Sequence, residues 1–113
     1  MQFDVKRVKI FVAIPVENVM EVRNAVCEAG AGMIGNYSYC TSSTKSTGTF
    51  KPNEEAKPYI GKNNNLEIVE EETLEFICDV EKVKKVLTEL RKVHPYEEPG
   101  IDIFPLMDEN LFD

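Results

Sequence analysis

The chain predicts an α+β fold, a ferredoxin-like βαββαβ sandwich in which two helices cover one face of an antiparallel sheet. Three observations carry this expectation. VKIFVAI sets a β-branched residue at every second position, two segments repeat apolar residues at spacings of three and four, and the patterns follow in the order strand, helix, strand, strand, helix, strand. At 113 residues the chain closes one core, so a single domain is expected over 1–113, with a body of about 6–106 and a tail at 107–113.

Residues 8–14 place Val8, Ile10, Val12 and Ile14 on one face of a strand and Lys9, Phe11 and Ala13 on the other. After Pro15, VENVMEVRNAVCEAG sets Val19, Val22, Val26 and Ala29 in helical register. Gly30 stands where that helix ends, because glycine alone takes the left-handed conformation without steric penalty. GAGMIG has the G-x-G-x-x-G spacing of a dinucleotide turn, yet it closes a helix and leads into a strand. That is the reverse of the context that aims a helix N-terminus at a phosphate, so dinucleotide binding is not expected.

NYSYCTSSTKSTGTF reads as one long or bent strand, or as one folding back near Thr47-Gly48 as a hairpin, and KPNEEAKPYIGKNNN as an exposed loop. LEIVEEETLEFICDV is strand-like, with Leu66, Ile68, Leu74, Phe76 and Cys78 in one parity and the acidic residues 70–72 interrupting it. VEKVKKVLTELRKV is the clearest amphipathic helix, and GIDIFPL the last strand. The face opposite the helices is expected to carry Phe11, Ala13, Ile77, Phe104 and Leu106. An apolar face of this kind calls for a cover, either further copies of the chain or the tail through Leu111 and Phe112.

A net charge of −7 with scattered Lys and Arg disfavours nucleic acid as a partner. No run is apolar enough for a membrane span, and the first fifteen residues do not look like a secretory signal, so a cytoplasmic location is expected. Cys27, Cys40 and Cys78 read as reduced thiols, with no C-x-x-C pair; Cys40 becomes a nucleophile only if His94 lies beside it. The one histidine opens HPYEEP, His94 to Pro99. Two readings stand: His94 caps the second helix, where a cation favours the dipole, or it contacts a metal or ligand together with carboxylates such as Glu70, Glu71, Glu72 or Glu75.

GAGMIGNYSYC, GTFKPNEEAKPYIG, LEIVEEETLEF and HPYEEPGIDIFPL, in this order over residues 8–106, resemble the inserted domain of the Nif-three-like family. The resemblance implies a fold similar to the PII signalling proteins and the divalent-cation tolerance protein CutA, and hence a homo-oligomer, a trimer before a dimer. It implies a small-molecule or metal ligand in a cleft between subunits, among Gly35, Tyr37, Glu75, His94, Tyr96, Glu97 and Glu98. His94 and Glu98 are the candidates for a divalent ion, and no catalytic residue is assigned. The dinuclear centre and hydrolase activity of full-length members belong to flanking domains, so the resemblance implies a non-catalytic module; a metal-dependent hydrolase and a purely structural or regulatory interaction domain are the alternatives. Thr73 stands where the family usually has an arginine, and Glu55 where it has a glycine, which puts a pocket built on that arginine in doubt.

Overall fold

The computed structural model describes residues 4–112. Its elements are β1 (Arg7–Pro15), α1 (Val19–Glu28), β2 (Thr41–Phe50), β3 (Glu67–Asp79), α2 (Val83–Val93) and β4 (Ile101–Pro105). A 3-10 turn leads into each helix, at Val16–Asn18 and Val80–Lys82, and another lies in the tail at Glu109–Leu111. The strands form one sheet in the order β2-β3-β1-β4, with every neighbouring pair antiparallel.

The alternation predicted for β1 is the observed one. Val8, Ile10, Val12 and Ile14 are buried with Leu74, Phe76 and Cys78 of β3, against Val22 and Val26 of α1 and Val86 and Leu90 of α2. The register Ile10↔Phe76 and Val12↔Leu74 aligns the two apolar stripes across the sheet centre. α1 ends as the sequence predicts. Gly30 has φ +112°, its N–H donates to Cys27 O and that of Ala31 to Val26 O, the paired bonds that satisfy a helix's last carbonyls.

Three local expectations are corrected. Residues 36–40 are not strand: Ile34 and Tyr37 exchange two backbone bonds of 2.9 Å around Gly35-Asn36, a tight turn, and β2 starts at Thr41. β2 does not fold back at Thr47-Gly48 but runs in unbroken register from Thr41↔Phe76 to Phe50↔Glu67. The glycine serves close packing instead, because a Cβ at 48 would collide with the Glu71 carboxylate. Nor do residues 70–72 interrupt β3. The apolar parity lapses there because β1 ends opposite Glu71, and beyond that point β3 pairs with β2 alone as a two-stranded ribbon. The ribbon gives a radius of gyration of 15.8 Å, above the roughly 13 Å of a compact chain of this length.

The sheet face away from the helices is apolar over only part of its width. Phe11 and Phe104 pack edge to face with ring centres 5.3 Å apart, beside a half-buried Ile77. Phe104 stays 53% exposed. Lys9 and Glu75 form a 3.4 Å ion pair on this face, and β2 adds Ser42, Thr44 and Ser46, the last 3.2 Å from the Thr73 hydroxyl. Leu111 and Phe112 of the tail are 51% and 64% exposed, so they do not supply the cover.

Candidate ligand site

Among the described residues, the buried polar or charged side chains are Glu71 and His94, each 6% exposed, and both touch Tyr96. Their position follows from the end of α2. Pro95 cannot continue the helix, so the chain turns at His94, whose backbone is extended (φ −72°, ψ 130°) while its N–H still donates to Leu90 O. The turn drives the His94 ring under the sheet end and brings residues 96–100 alongside Ala13, where Ala13 N–H donates to Gly100 O.

His94 is the C-cap residue, as one reading of the sequence has it, but not as a cation on the helix dipole. The Tyr96 N–H donates to Nδ1 at 3.1 Å, so the ring proton sits on Nε2 and is donated to Ala13 O at 2.8 Å. A second proton on Nδ1 would face another donor. Burial lowers the His94 pKa below its ordinary 6.5, against the opposing pull of the Ala13 carbonyl and Glu71.

Glu71 projects from β3 to the open face of the sheet. Its Oε2 accepts from the Tyr96 hydroxyl at 2.6 Å, a charge-assisted length, and its Oε1 lies over the bare backbone of Gly48. Burial first, and then the bond to Glu71, raise the Tyr96 pKa, so the phenol holds its proton and donates. Tyr96 also packs against Phe50 and Tyr59, with ring centres 5.8 and 6.5 Å away.

Around this pair the 51–66 connection folds over the sheet. Asn53 Oδ1 accepts from the N–H groups of Glu55 and Ala56, which tightens the loop, and Lys57 N–H donates to Glu97 Oε1 at 3.1 Å, which ties it to the His94–Gly100 segment. The result is a cavity of about 380 Å³ lined by Ala13, Phe50, Pro52, Pro58, Tyr59, Glu71, Tyr96, Glu97 and Glu98, among others.

Of the residues expected at a ligand cleft, Tyr96, Glu97 and Glu98 line the cavity, and His94 anchors their segment from beneath. Gly35 and Tyr37 lie toward the opposite end of the sheet, in the segment held by Gly32 N–H to Ile77 O, and Glu75 is paired with Lys9. Both His94 nitrogens are engaged, so a metal at His94 and Glu98 has to displace one of those bonds. Among the described residues no three His, Cys, Asp or Glu side chains gather as a metal-holding group. Cys40 bonds backbone to Gly32, at the end of the sheet away from His94, and burial pushes the thiols of Cys27 and Cys78 up, the latter to about 11. Glu71 is one of the four carboxylates the sequence offers as partners of His94, and it reaches the cavity through its bond to Tyr96, while Glu70, Glu72 and Glu75 do not line it. Phe50 and Tyr59 are cavity residues that the sequence does not mark as ligand contacts.

The antiparallel sheet with two helices on one face defines the class: a ferredoxin-like module of the PII/CutA type. CutA from Synechococcus elongatus superposes with a TM-score of 0.68 at 16% identity, over 94% of this chain and 81% of its own, a likeness of fold. The Bacillus cereus protein related to NIF3 superposes with a TM-score of 0.80 at 40% identity, over 95% of this chain and 27% of that one. In sequence, the GTP cyclohydrolase 1 type 2 homolog of Halalkalibacterium halodurans is 50% identical over 101 residues, 89% of this chain and 27% of that protein. Its Bacillus subtilis counterpart is 44% identical over 98 residues, 87% of this chain and 26% of that protein. No family model matches. The chain belongs to the Nif-three-like family, and it spans about a quarter of the length of the curated relatives it matches. Among the described residues no helix is long and apolar enough to cross a membrane.

Proposed function

We propose that this chain is a non-catalytic, self-associating PII/CutA-type module that binds a small ligand in the cavity between the 51–66 loop and the His94–Gly100 segment. The observation that carries this reading is the cavity itself. At about 380 Å³ it falls within the size range of small-molecule sites, roughly 300–1,000 Å³, with apolar walls and a few convergent polar groups. A non-catalytic role is supported by His94, whose ring is committed to holding the segment and has no free nitrogen to act as a base. The activity carried in the relatives' name is therefore not proposed for this chain. A divalent ion at His94 and Glu98 is the weaker form of the reading, because it costs one of the histidine's two bonds.

Self-association through the open face, as a trimer before a dimer, is supported by the exposed Phe104 and its partner Phe11. Native mass spectrometry of protein purified without added metal tests both parts, since mass reports subunit number and bound species together. A multimer is expected, dissociated by Phe104→Asp. A lone subunit at high micromolar concentration, with no bound small molecule and no stabilisation across a metabolite and metal panel, overturns the reading.

A further inference from the structure

A carboxylate taken out of water is costly unless opposite charge or several hydrogen bonds replace its hydration. Glu71 is 6% exposed and lines the cavity, yet it receives one hydrogen bond, from the neutral Tyr96 hydroxyl. Its Oε1, over Gly48, receives none among the described residues. The ion pairs found there, Lys9–Glu75, Lys82–Asp79 and Lys92–Glu89, do not include it, and Lys51 lines the same cavity without pairing to it. The same cavity is lined by three aromatic residues, Phe50, Tyr59 and Tyr96, whose rings pack together, and by two further carboxylates, Glu97 and Glu98.

We infer that the cavity takes a small organic cation: a primary ammonium group carried on an apolar body. The inference rests on reading the cavity as a ligand site and adds the chemical class of the ligand. The ammonium N–H donates to Glu71 Oε1, which accepts from no protein group among the described residues, and replaces solvent at that oxygen with a charge-assisted hydrogen bond. The body lies against Phe50, Tyr59 and Tyr96, whose negative ring faces also attract a cation within about 6 Å. A divalent ion fits less well, since Ca2+ and Mg2+ take six or more oxygen ligands and, among the described residues, no three carboxylate, histidine or cysteine side chains converge as a metal-holding group. A neutral ligand leaves the buried charge unanswered. A primary ammonium is favoured over a quaternary one because only the former brings the N–H that Oε1 lacks.

The test is isothermal titration of the full chain with four probes of similar size: 2-phenylethylamine, 2-phenylethanol, 3-phenylpropionate and phenyltrimethylammonium. The amine is expected to bind saturably, and each of the other three at least tenfold more weakly. Glu71→Gln is expected to weaken the amine at least tenfold, and Glu89→Gln, an equal charge change on the outer surface of α2, to leave it unchanged. Should Glu71→Gln fail to fold, Tyr59→Ala removes an exposed ring and is expected to weaken the amine more than the alcohol. An alcohol that binds as tightly as the amine, or amine binding indifferent to Glu71→Gln, overturns the cation while leaving a ligand cavity. Quaternary and primary cations binding equally overturn the N–H bond to Glu71. Binding by none of the four overturns the cation, and the ligand cavity then stands or falls on the metabolite and metal panel.

Discussion

Replacing Gly48 with alanine puts a methyl group where Glu71 Oε1 sits, and the two cannot coexist. The carboxylate is buried, so moving it breaks its bond to the Tyr96 hydroxyl. A hydrogen bond to a charged group contributes about 1.5–3 kcal/mol. Against this, alanine is favoured over glycine within a strand by about 0.5–1 kcal/mol. The expected net loss is about 1–2 kcal/mol, which at about 4 °C per kcal/mol for a chain of this length lowers the unfolding midpoint by about 4–8 °C. In a Glu71→Ala background the obstacle is gone, only the strand preference remains, and the same substitution should stabilise by about 0.5–1 kcal/mol. Urea unfolding followed by circular dichroism on wild type, both single variants and the double variant closes the cycle. A Gly48→Ala effect of the same sign and size in both backgrounds refutes the packing argument, because the glycine would then be serving the backbone and not the carboxylate.

The pH dependence of stability has a defined sign. His94 has a folded pKa below its ordinary 6.5, so on acidification the unfolded chain takes up the proton first; stability present above about pH 6.5 is lost as the pH falls toward the folded value, at up to about 1.4 kcal/mol per pH unit. His94→Gln should flatten that part of the curve relative to wild type, with Glu71 and Arg91 as the neighbouring charges left in place, and superimposable slopes between pH 6.5 and 5 would contradict the neutral, doubly bonded ring. Phe76→Ala, at a position 1% exposed in the centre of the core, is expected to cost about 3–5 kcal/mol by urea unfolding, and a loss under about 1 kcal/mol would mean that the apolar stripe of β3 does not face the helices.

Side-chain period made most of the fold legible. Val8 to Ile14 and Leu74 to Cys78 alternate because each strand buries one face, and Val22, Val26, Val86 and Leu90 repeat at helical spacing because each helix buries one stripe. The misreadings fell where a residue's reason was not local. Gly48 resembles a turn residue until Glu71 is seen against it, and Glu70 to Glu72 look like a break until β1 is seen to end there. The Tyr and Ser of residues 36–39 suit a strand by propensity, yet the Gly35-Asn36 turn claims that stretch.

The amino-acid order by itself determined the succession of helices and strands, the face each turns to the core and the glycine stop of α1, since all of these follow from backbone geometry over a few neighbouring residues. The tertiary structure alone decided what the HPYEE segment packs against: His94 reaches Ala13 across 81 positions, and Tyr96 reaches Glu71 across 25. Whether a carboxylate is solvated at a strand edge or held in a cavity depends on which distant chain closes over it, and no local pattern records that contact.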